Sequence, residues 1–161
     1  MKTNGKLAIV AMLAALVTGA ASSQEVVSRR TLTLDGARAV AMAAEREAKR
    51  LKAGGAIAVV DEGGHLLVLV RLDGTFAAAS EIASAKARSA ALFKRPTKLF
   101  EDAIGKGRIS LVANRELMPL QGGVPVEVGG EVVGAVGVAG AMSADQDTEI
   151  ALVAASSVKE R

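Results

Sequence analysis

Apolar residues at Ala37, Val40, Ala41, Ala44, Ala48 and Leu51 recur at three- and four-residue intervals, a spacing that predicts a helix over 33–53 with one buried stripe. Thr33 stands where an N-cap belongs and Asp35 falls in the first turn, where negative charge suits the helix dipole. Gly54 and Gly55 end the pattern. A short apolar strand is then expected over 56–60, a tight turn at Glu62, Gly63 and Gly64, and a return strand over 65–71. Alanine-rich helical spacing resumes over 77–93 and stops before Pro96, because the residue ahead of a proline is pushed out of the α region. Thr97 is placed to cap a short helix over 99–104, closed by Gly105 and Gly107.

Residues 108–120 read two ways, with 109–117 continuing as helix or 118–120 forming a short strand whose Pro119 favours an edge. Val124 to Val128, a turn at Gly129 and Gly130, and 131–138 predict a second hairpin. Ser143, with Gln146 three residues on, has the form of a capping box for a last helix that turns Ile150, Val153 and Ala154 inward. Two hairpins and several helices without regular βαβ alternation predict an antiparallel α+β domain.

The first residues follow another logic. Lys2 and Lys6 precede an unbroken apolar run over 7–17, and small residues continue to Ser23, which is the pattern of a cleaved secretory signal. That run is too short to cross a bilayer, which needs about 20 helical residues. Residues 1–23 are therefore expected to be removed, leaving no stable membrane anchor, and 24–161 to form one domain of about 138 residues in the periplasm or outside the cell.

Composition narrows the function. Setting Lys2 and Lys6 aside reduces the formal charge from +3 to +1. The chain has no Trp, no Tyr and three Phe, so it lacks both the basic field and the stacking platform of a nucleic-acid binder. No cysteine is present, which removes disulfides, thiolate metal sites and thiol nucleophiles. A single histidine, His65, excludes a multi-histidine zinc site within one chain. GAVGVAG over 134–140 is not a dinucleotide fingerprint, and no GxSxG elbow accompanies the histidine.

The run AVVDEGGHLLVLVRLDG over 58–74, the following helix with Lys86, FKRPT over 93–97, and QGGVPVEVGGEVVGAVGVAG over 121–140 occur in an order that resembles the GlcG/HbpS-like haem-binding family, related to the C-terminal domain of PduO-type proteins. The resemblance spans 32–158. It implies a profilin-like, five-stranded antiparallel sheet flanked by helices, a homo-oligomer, and a link to haem binding, haem degradation or corrinoid metabolism.

His65 opens a strand after Gly-Gly, and an accessible imidazole there suits an axial ligand to iron; the plainer role is a turn residue bonded to Asp61 or backbone. Asp61 either orients that imidazole or caps the turn. Lys86 shares a helix face with Ile82, Ala83, Ala90 and Phe93, so its ammonium either lines a pocket and meets a carboxylate, such as a haem propionate or an organic acid, or snorkels to water or Asp73. Arg71, Asp73, Arg88 and Arg95 supply further charge around the same loops; Arg71, at a strand end, and Arg95 either meet a carboxylate or stay solvated as most exposed charges do. Thr97 of the RPT sequence offers an oxygen to a pocket or caps a helix, and Gly122 with Gly123 forms one wall of a ligand cleft. Asp145, Asp147 and Glu149 read as acids of a helix first turn. The leading expectation is an exported haem-binding protein that holds the cofactor near His65, Lys86 and the RPT loop, with His65 as the metal ligand and haem degradation as an extension. A carrier or enzyme for a small organic acid or carbonyl compound without haem, and an accessory structural subunit, are the alternatives.

Overall fold

The computed structural model describes residues 27–159; the expected leader lies outside them. The elements are α1 (Leu34–Arg50), β1 (Ala56–Asp61), β2 (Leu66–Arg71), α2 (Ala79–Phe93), α3 (Lys98–Gly105), a 3-10 helix (Ile109–Ala113), β3 (Gly123–Val128), β4 (Glu131–Ala139) and α4 (Ala144–Ala155). The sheet runs β2-β1-β4-β3 with every pairing antiparallel, an α+β domain as expected. Four strands, not five, form it among the described residues: 118–120 stays irregular and 109–113 takes the 3-10 form.

The two faces of the central strands differ in side-chain size. Ile57 and Val59 of β1 and Val136 and Val138 of β4 face α1 and α4, where Val40, Ala44, Ile150 and Ala154 complete a core of branched side chains. Ala56, Ala58, Ala135 and Ala139 face the other way, against Ala79, Ala83, Ala87 and Ala90 of α2. Strands covered on both faces read as continuous apolar runs, as these do. Alanine on both surfaces lets α2 approach closely. A methyl group added at Gly137 would collide with the Ala83 carbonyl oxygen and lie 2.6 Å from the Ala87 nitrogen. Because both obstacles are backbone, Gly137→Ala is expected to destabilise by about 3 kcal/mol, at the upper end of overpacking costs. A thermal melt should show a Tm fall of roughly 10 °C, and an unchanged Tm would contradict this packing.

The helix ends follow their sequence signals closely. Thr33 accepts from the Gly36 N–H at 3.1 Å and Ser143 from the Gln146 N–H at 3.1 Å. The Gln146 side chain reaches the Met142 N–H rather than that of Ser143, so the box closes one residue early. On α4, Ile150 and Ala154 are buried as expected, but Val153 is 41% exposed and Ala151 takes the inward place. Thr97 does not cap α3 with its side chain: its backbone is already helical at φ −65° and ψ −24°.

Candidate functional site

β1 ends at Asp61 and β4 begins beside it, with Asp61 opposite Gly134 and Ala56 opposite Ala139. This register gives the sheet two ends, and the expected site residues divide between them.

At the hairpin end, Asp61 organises the turn. Its Oδ1 accepts from the Gly63 N–H at 2.9 Å and the His65 N–H at 2.8 Å. The same carboxylate lies 3.2 Å, from each oxygen, from His65 Nδ1. An ionised carboxylate only accepts, so it favours the tautomer with the proton on Nδ1 and leaves the lone pair on Nε2. The His65 side chain is 76% exposed. Both roles expected of Asp61, turn cap and imidazole partner, are thus met by one side chain. Gly64 adopts φ +78°, and a Cβ there would stand 3.0 Å from Arg88 Cγ and 3.5 Å from Leu92 Cγ. A glycine therefore both makes the left-handed turn and lets it press against α2. Leu66, Leu69 and Leu92 are 51%, 43% and 38% exposed.

Lys86 belongs elsewhere. Its ammonium donates to the Val138 carbonyl at 2.9 Å and to Asp147 Oδ2 at 2.9 Å, with the two side chains 3% and 8% exposed. Val138 is level with Ile57 in the sheet, four residues from Asp61, or about 13 Å along the strands. The expectations of a pocket-lining lysine, of a head in water and of a bond to Asp73 are all corrected: Lys86 is a buried tie between α2, β4 and α4. Its partner Asp147 was expected to serve the helix dipole alone; its other oxygen also accepts the Ala141 N–H at 2.9 Å. A lysine on an apolar helix face was the visible signal, but nothing in the sequence marked which acid would meet it.

Gly122 and Gly123 line this buried tie rather than a ligand cleft. Gly122 adopts φ +112°, and a Cβ on it would lie 2.7 Å from the Val138 oxygen and 3.0 Å from Lys86 Nζ; one on Gly123 would meet the Lys86 carbonyl oxygen and Thr97 Cγ2. Thr97 is fully buried, and its hydroxyl accepts from the Gly123 N–H at 2.9 Å. It staples the RPT loop to β3. Arg71 is exposed at the end of β2 away from His65, paired with Ala56. Arg95 is exposed just after α2. Among the eight expected residues, the structure brings together only Asp61 and His65 at the hairpin, and Lys86, Thr97, Gly122 and Gly123 in the interior. Leu92, which flanks the histidine turn with Arg88, had no motif to mark it, and Arg88 was one of several charges around these loops.

No group of three or more His, Cys, Asp or Glu side chains among the described residues could hold a bare metal ion.

Known proteins agree with this architecture. Protein GlcG of Escherichia coli K12 is 45% identical over 102 residues, 63% of this chain and 76% of that protein. A solved structure of HbpS superposes with a TM-score of 0.78 at 32% identity, covering 84% of this chain and 96% of that one. A structure of a PduOC:haem complex shares the fold, with a TM-score of 0.71 at 24% identity over 80% of this chain and 95% of that one. The family model described as "Haem degrading protein HbpS-like" matches residues 32–156, and the chain belongs to that HbpS-like family.

Proposed function

We propose that this is an exported haem-binding protein in which His65 ligates iron through Nε2 while Asp61 holds Nδ1. The exposed imidazole with its second nitrogen already engaged carries the reading; such a partner fixes ring orientation and raises ligand basicity. Leu66, Leu69 and Leu92 supply exposed aliphatic surface near or beside the turn. The donor set fits the group: one neutral imidazole, an orienting carboxylate and apolar neighbours. When bound, haem would supply redox-active iron, the chemistry on which haem degradation would draw. His65 is open to solvent, so a second copy of the chain is the natural cover for a bound macrocycle, and we place haem in a homo-oligomer. Export rests on the basic and apolar pattern of residues 1–23.

The organic-acid alternative relied on Lys86, whose ammonium is already bound to Asp147 and Val138, and it loses its main support. The test is titration of the protein over 24–161 with haemin, followed in the Soret region. Saturable binding is expected in the parent and its loss in His65→Ala. Asp61→Asn keeps an acceptor for the turn but not the charge, and should weaken binding about tenfold or more. Undiminished saturable binding by His65→Ala would overturn the assignment.

A further inference from the structure

Arg88 stands beside the histidine turn with one arm occupied and one not. Its Nε and Nη2 donate to Glu116 Oε2 at 3.1 and 2.8 Å. Nη1 has no such bond and lies 3.4 Å from where a Cβ on Gly64 would stand, hence within about 9 Å of the His65 Cα. The Arg88 side chain is 44% exposed, so the guanidinium is open to a ligand while its stem is held against the turn. Glycine at position 64 preserves this approach, since any side chain there would displace Arg88. Leu92, one helical turn on, is also exposed, giving the same edge of α2 an apolar step next to the cation.

We infer that Arg88 is the carboxylate-binding residue of the His65 site and selects porphyrins that carry free acid side chains. The inference rests on the haem reading above and extends it from the metal to the rim of the macrocycle. A planar guanidinium offers paired N–H donors that match a carboxylate, and Nη1 lies outside the Glu116 pair. Of the three cations expected from sequence to meet a ligand acid, Lys86 is buried, Arg71 lies at the far end of β2, and Arg95 is exposed just after α2. Arg88 holds its side chain against the turn that carries the histidine.

The experiment compares dissociation constants for haemin and for its dimethyl ester, which keeps iron and macrocycle but masks both acids. The parent should bind haemin about tenfold to a hundredfold more tightly than the ester, the range of a charge-assisted hydrogen bond. Arg88→Gln should lose that preference by weakening haemin alone, while His65→Ala loses both ligands. Arg88→Lys, which keeps the charge without the fork, should retain part of the preference, and circular dichroism confirms that each variant is folded. An Arg88→Gln protein that still prefers haemin as strongly as the parent overturns the assignment of Arg88 while leaving His65 intact. Failure of the parent to bind either porphyrin overturns the haem reading and this inference with it.

Discussion

Lys86→Met is expected to cost the fold about 3–5 kcal/mol, the penalty for leaving one member of a buried ion pair without its partner. Asp147 would remain in a site where it is 8% exposed, still accepting the Ala141 N–H but with its second oxygen bare. The Val138 carbonyl would lose its ammonium donor as well. Urea denaturation should show the midpoint falling by about 2 M with little change in slope. The double variant Lys86→Met with Asp147→Leu should recover much of the loss, because replacing both charges by apolar groups of similar volume removes the uncompensated ion. Recovery stays incomplete, since the Val138 carbonyl and the Ala141 N–H keep no side-chain partner. A single variant within 0.5 kcal/mol of the parent, the range of an ordinary surface substitution, would contradict the role given to Lys86.

This pair also explains why sequence and structure part company where they do. Helices and hairpins were legible because local chemistry fixes them: Thr33 and Ser143 cap through their own hydroxyls, and Gly129 and Gly130 make the β3–β4 turn at φ +62° and +79°. Periodicity alone misplaced Val153, because α4 packs on the sheet through Ile150, Ala151 and Ala154 and leaves its next side open. The interior glycines carry no local signal of what approaches them. A glycine against a ligand and a glycine against a helix have the same sequence, and only the assembled α2 shows that Gly137 admits a helix. Long-range partners were illegible altogether: the Lys86 to Asp147 pair spans 61 residues and the Thr97 to Gly123 bond 26. The Asp61 and His65 pairing, four residues apart in one hairpin, was the part of the site that local reasoning reached.

His65→Ala should leave the fold intact and abolish the proposed haemin binding. The ring is 76% exposed and its side-chain partner is Asp61, which keeps its bond to the Gly63 N–H without it. Removing the ring therefore takes away the one imidazole in the chain at little structural cost. Stability within about 0.5 kcal/mol of the parent together with loss of the haemin Soret shift is the expected combination. Unfolding of the variant would mean that the turn depends on the ring, and the exposed position of His65 would then have been misread.

Because the chain contains a single histidine, ligation can be assigned without mutation. Tag-free protein labelled only with 15N-histidine, loaded with haemin and studied by pulsed EPR, should show a nitrogen hyperfine coupling at iron that changes with the isotope. A spectrum in which the couplings are indifferent to the histidine label, with haemin nevertheless bound, would place the iron on another ligand and contradict the assignment of His65.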